Sequence, residues 1–298
     1  MQRMLTREPE QFAPLYKQCQ ETTKGRYVMR SGKPDVYRYR QSHVYLADLL
    51  LWHKSQGLSM RNLAKRLNVS PTLVSLIAKG KRPLTEENID IWGSVFKWNP
   101  QEVSWLKQLI LLEHSDVKKK AEALESLSRF KTYNEDSPEE VLTFKYLKKW
   151  WNVAIREMSE LPGFSEDANW IQERLLFSVS IVEIRKALKF LNKHKILAKY
   201  GEFRRLNCQS DVYKLSLSTF HDQMLSRAVE SIYKVKSEDR YILGQTLAIN
   251  GNNFGKAKVI LQEALEQIVK LGESELQPTD VYHFSLLGFP LTLNKDKL

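Results

Sequence analysis

The chain has 298 residues, 42% of them hydrophobic and 27% charged, and carries a formal net charge of +11. This is enough chain for two or more domains with real cores, and no apolar run approaches the ~18 residues of a membrane-spanning helix. Two cysteines, Cys19 and Cys208, are too few for a disulfide-stapled scaffold or a cysteine zinc site, and the start lacks the apolar stretch of a signal peptide, so we expect a cytoplasmic protein without cofactor.

The charge is unevenly placed. From Lys24 to Arg82 there are thirteen Lys/Arg against two acids, Asp35 and Asp48, while the chain before and after this segment sums to zero. A concentrated excess of cations predicts a polyanionic partner; an even spread would mean only solubility.

In chain order, residues 1–40 read as a basic N-terminal arm, interrupted by Gly25, Gly32 and Pro34. Leu46, Leu49, Leu50 and His53 then fall on one helical face, and Gly57 ends that helix. Ser59 is a natural cap for the next one. Within LSMRNLAKRLNVSPTLVSLIAKGKR, Leu63, Ala64 and Leu67 form one buried face and Val74 and Ile77 another. Asn68 suits a left-handed turn between them, and Ser70–Pro71 cap and start the second helix. Thr85 with Glu86 and Glu87 opens a further helix, and Asn99, Pro100 and Glu102 spell a capping box for the following one. Residues 115–140 read as a helical linker broken at NEDSP.

Helices dominate again from 141. Ser180 and Glu183 predict a second capping box ahead of Ile181, Ile184, Leu188 and Leu191, and a basic hairpin is expected to follow, with Ile196–Leu197 and Phe203–Leu206 as its strands. This is the pattern of a winged helix. After a helix through FHDQMLSRAVESIYKV, YILGQTLAI and VYHFSLLGFPLTL read as strands on either side of a helix, a small α/β unit. GNNFGK lacks the spacing and the Ser/Thr of a phosphate loop and reads as a strand-to-helix turn capped by Asn252 or Asn253. The six histidines never pair at i, i+4, and no pair of carboxylates stands out. We therefore expect no enzyme and no metal.

The two-helix stretch resembles the lambda-repressor/Cro-like helix-turn-helix family over about residues 41–113, which implies a five-helix DNA-binding domain. In that family a Gln commonly stands where this chain has Met60, and a polar residue where it has Leu76. From Trp150 onward, WWNVAIREMSELPGFSEDANWIQERL, EIRKALKFLNKHKIL, FHDQMLSRAVESI and VYHFSLLGFPLT resemble a bacterial family that joins such a motif to a C-terminal domain of unknown function. Its members are generally described as transcriptional regulators.

The expected architecture is mostly α: an arm (1–40), a helix-turn-helix domain (41–114), a linker (115–140), a winged-helix-like domain (141–220) and a C-terminal α/β unit for dimerisation or sensing (221–298). The expected partner is double-stranded DNA, met by a homodimer. Pro71, Thr72, Ser75 and Lys79 would face the major groove, Lys54, Arg61, Lys65, Arg66, Lys79, Lys81 and Arg82 the phosphates, and Ser70, the cap of the second helix, completes the candidate DNA-binding residues. Thr and Ser discriminate bases weakly, so phosphate contacts should dominate. The rival expectation is a protein-interaction adaptor that keeps the fold without sequence-specific DNA binding.

Overall fold

A computed structural model describes residues 32–201 and 210–293. The described residues form thirteen α-helices and no strand. They divide into two compact units, one holding 32–148 and 210–221, the other 149–201 and 222–293.

The first unit begins with a 3-10 turn, Val36–Arg38, capped by Asp35. Val36 is fully buried, so this part of the basic arm belongs to the core; the residues before 32 lie outside the described ones. Five helices follow: α1 (Ser42–Ser55), α2 (Met60–Arg66), α3 (Pro71–Ala78), α4 (Glu86–Phe96) and α5 (Pro100–His114). Next come α6 (Val117–Leu127), α7 (Lys131–Asp136) and α8 (Pro138–Leu147). Residues 115–140 thus hold α6, which packs on α5 and buries Ala123, Leu124 and Leu127.

Local chemistry sets most of these boundaries. The α1 N-terminus has no cap from Gln41. Glu113 of α5 supplies one, accepting from the Ser42 backbone N–H at 2.5 Å and from its hydroxyl at 2.6 Å. This carboxylate meets the exposed N–H groups and positive end of α1 and ties the first and fifth helices together. The capping box of α5 is complete: the Asn99 side chain accepts from Glu102 N, and Glu102 accepts from Asn99 N at 2.7 Å. Thr85 sits at the cap position of α4, but its hydroxyl accepts from the Asn88 side chain instead of a backbone N–H.

The core of this unit is aromatic. Trp105 is fully buried, with Tyr37, Phe130 and Tyr133 edge-on or tilted around it at centroid distances of 5.1–5.9 Å. Such pairs set ring quadrupoles in favourable orientations and add to area burial. The Arg40 guanidinium lies 4.5 Å from the Tyr133 ring and pairs with Asp136 at 2.9 Å, binding the segment before α1 to α7.

In the second unit α9 (Trp150–Met158), α10 (Ala168–Arg174) and α11 (Ile181–Lys193) pack together, with α11 against both others. Ser180 caps α11 by accepting from Glu183 N, but the box is not reciprocal, because Glu183 turns to Lys186 at 3.2 Å. The expected wing differs. Ile196 and Leu197 are buried and lead into a 3-10 turn, Ala198–Tyr200. Lys195 takes a left-handed backbone (φ 54°), Ile196 N donates to Leu191 O, and Ala198 N donates to Ser159 Oγ. These bonds use the peptide groups that a first wing strand would have offered to a neighbour. Phe203–Leu206 lie outside the described residues.

The long α12 (Asp211–Lys234) runs through both units, and α13 (Gly251–Glu273) follows. The cap of α13 is Asn250, not Asn252 or Asn253, so GNNFG forms the first turn of the helix. YILGQTLAI and VYHFSLLGFPLTL, expected as strands, have no regular secondary structure, and neither joins a ladder among the described residues. A strand requires a hydrogen-bonded neighbour, and the described residues provide none.

Two substitutions test this packing. Trp105→Ala should cost about 3–5 kcal/mol of stability in a urea unfolding titration, as expected for an aromatic removed from a core that cannot collapse around it. Gly80 has φ 68°, and a Cβ there would stand 3.0 Å from the His43 ring. Gly80→Ala should therefore cost about 1–3 kcal/mol and lower the melting temperature.

Candidate nucleic-acid interface

The geometry of α2 and α3 follows from two matching helix ends. After α2, Leu67 is the C-cap and Asn68 takes the left-handed region (φ 54°). Asn68 N then donates to Lys65 O and Val69 N to Ala64 O at 3.0 Å. This double bond pattern reverses the chain over few residues, and Asn tolerates the backbone it needs. Ser70 follows at once and caps α3, its hydroxyl accepting from Leu73 N at 3.1 Å, with Pro71 at the first helical position. After α3 the pattern recurs, with Gly80 N on Ile77 O and Lys81 N on Leu76 O.

Burial fixes which way α3 faces. Val74 and Ile77 are buried and α3 packs on α1 and α2. Pro71, Thr72 and Lys79 are exposed, and Ser75 and Leu76 are half-buried. Ser75 offers a partly covered hydroxyl, and Ser70 spends its acceptor on the cap. On α2, Leu63 and Ala64 are buried while Arg61, Lys65 and Arg66 are exposed.

The seven cations singled out by sequence, Lys54, Arg61, Lys65, Arg66, Lys79, Lys81 and Arg82, are all exposed. Among the described residues none of them forms an ion pair. No Asp or Glu occurs between Asp48 and Glu86, so the segment itself carries no acid to pair with them. The two acids of the basic region are engaged elsewhere: Asp48 accepts from Tyr39 OH at 2.8 Å, and Asp35 caps the 3-10 turn. Some cations of other regions are paired. Lys107 pairs with Asp90, Lys199 with Glu166 and Lys148 with Glu125.

Burial holds the His53 imidazole below its ordinary range, and the charges of Lys33 and Arg66 push the same way. His53 is therefore neutral near pH 7 and adds no charge beside Arg66. Sequence reasoning passed over His43, whose ring lies against Gly80 at the end of α3; a small cavity of about 150 Å³ opens there, between His43, Arg82 and Glu113. The only sequence signal for this contact was the glycine itself.

Among the described residues no group of His, Cys, Asp or Glu is placed to hold a metal ion, and no helix is long and apolar enough to cross a membrane. No curated protein and no solved structure matches the chain. Residues 131–291 match a family described as a domain of unknown function (DUF4423). The match starts at α7, inside the first compact unit, and covers more than half of the chain. By that extent of agreement the chain belongs to the DUF4423 family.

Proposed function

We propose that this protein is a DNA-binding transcriptional regulator in which α2, its turn and α3 act as a helix-turn-helix on double-stranded DNA. One observation carries the reading: seven exposed cations on and around two short helices, none with an ionic partner among the described residues. Cations left unneutralised at one end of a folded unit suit a polyanion, because each phosphate contact releases condensed counterions. The outward side of α3 presents Thr72 and Lys79, and the chain leaves α3 at Lys81 and Arg82, where phosphates flank a helix inserted in a groove. Thr72 and Ser75 bond base edges without the bidentate fit of Arg or Asn, so affinity comes mainly from the backbone and readout is modest. A two-fold pair of chains compensates by engaging two half-sites. Nothing in this reading calls for catalysis or a cofactor.

A second reading has its own support. Met60 is 38% exposed and Leu76 half-exposed on the same helices, and neither side chain can hydrogen-bond a base edge. An adaptor that docks a protein on this face is the alternative. It predicts partner capture that is lost when Met60 and Leu76 are made polar, with duplex binding negligible.

The regulator reading is tested by salt. The logarithm of duplex affinity should fall against the logarithm of salt concentration with a slope of about −5 to −7, the release from ~5–8 phosphate contacts per chain. A flat response would remove the reading. Lys81→Glu with Arg82→Glu should abolish retardation of duplex DNA while leaving circular dichroism unchanged. Thr72→Ala should shift the sequences enriched in a binding selection more than it weakens binding; identical enrichment would exclude Thr72 as a reader.

A further inference from the structure

The C-terminal part of the second unit is incomplete on its own. Between residues 241 and 293, seventeen large apolar side chains are exposed, among them Tyr241 (87%), Leu243 (81%) and Phe289 (68%). At roughly 100 Å² each they sum to on the order of 1,700 Å² of apolar surface per chain over this region. No residue of α13 is buried.

The backbone of the same region also lacks protein partners among the described residues. Residues 241–249 and 284–291 belong to no helix or strand, although their composition is that of strands, and no backbone–backbone hydrogen bond joins either segment to another described residue. The second segment lies against α13 at Gly288, where an added Cβ would be in ordinary van der Waals contact, 3.5 Å from Phe254 Cε2 and 3.7 Å from Leu261 Cδ1. One chain therefore offers two strand-like segments on a supporting helix, and two strands are too few for a stable sheet; two chains offer four.

We infer that a second copy of this chain covers this surface, with segments 241–249 and 284–291 of the two copies pairing as strands of one shared sheet. Three properties single out the second copy. Residues 241–250 and 281–293 contain no Lys, Arg, Asp or Glu, so like surfaces meet without repulsion and a polyanion finds no counter-charge. If each copy covers even half of its exposed apolar area, together with the backbone between, the total reaches ~2,000 Å², the range of obligate homodimers. The same surface supplies both unpaired edges and apolar faces, which is what a self-complementary two-fold contact needs. The inference deepens the two-fold arrangement proposed above, yet its test contains no DNA, so either can fail alone.

The experiment is sedimentation equilibrium of the full chain, without nucleic acid, over a hundredfold range of concentration, with amide hydrogen exchange on the same sample. The expected result is a particle of twice the 34.9 kDa chain mass, with slow exchange at residues 242–249 and 284–291. Leu243→Lys with Leu287→Lys should give a single-chain mass and at least a hundredfold faster exchange in both segments, with the helical signal of the rest retained. A wild-type monomer throughout the range would overturn the inference. So would a dimer whose two segments exchange as fast as an unstructured peptide, since its contact would then lie elsewhere.

Discussion

The arrangement around α3 depends on the burial of Val74 and Ile77 beneath α1 and α2. Each is an aliphatic side chain removed almost wholly from water, an effect of about 1.5–3 kcal/mol apiece. A helix has one axis, so fixing its inner face fixes the outer one. Thr72 and Lys79 point to solvent because the opposite side is committed. The two matching helix ends, at Asn68 and at Gly80, then set the angle of entry and the exit of the chain. The Glu113 cap holds α1, on which α3 rests, to the far end of the five-helix set. Positioning of the outward residues is thus a property of the core rather than of the surface.

The electrostatic character of that surface arises by omission. Each cation there is ordinary by itself, and exposed charges of this kind contribute little to stability. What distinguishes them is the lack of acids along the same stretch, while acids elsewhere in the chain neutralise Lys107, Lys148 and Lys199. Leaving charge unpaired has a mild cost in self-repulsion, which an external polyanion would relieve. Burial holds the His53 imidazole below its ordinary range, so this side chain adds no charge beside Arg66 near neutrality.

The second unit divides into a packed part and an open part. Helices α9, α10 and α11 close on one another, and Gln223 of α12 accepts from Trp150 N at 3.0 Å, satisfying the start of α9. The region after Tyr241 has no such closure. Apolar side chains and peptide groups are exposed together there. Water satisfies the peptide groups but not the side chains, and a strand partner that also brings an apolar face is one arrangement that serves both.

The sequence by itself determined the caps of α2, α3 and α5, the turn between α2 and α3, and the inner faces of α1, α2 and α3. Ser59, Ser70, Asn99 and Asn68 act through groups a few residues away, and a period of 3.6 names the buried positions directly. The unbalanced charge near the front was likewise legible, because net charge needs no coordinates. Tertiary structure decided the rest. Glu113 as the cap of α1, His43 against Gly80, and Arg40 between Tyr133 and Asp136 join residues distant in sequence, and no local pattern announces them. Ile196–Leu197 read as a strand because β-propensity describes a side chain's fit to a pleated, half-buried surface. Burial of both residues and a bond from Ala198 N to Ser159 turned the chain into a 3-10 turn instead. YILGQTLAI has the composition of a strand, but a ladder is a relation between two segments, and only the fold shows whether the second is present.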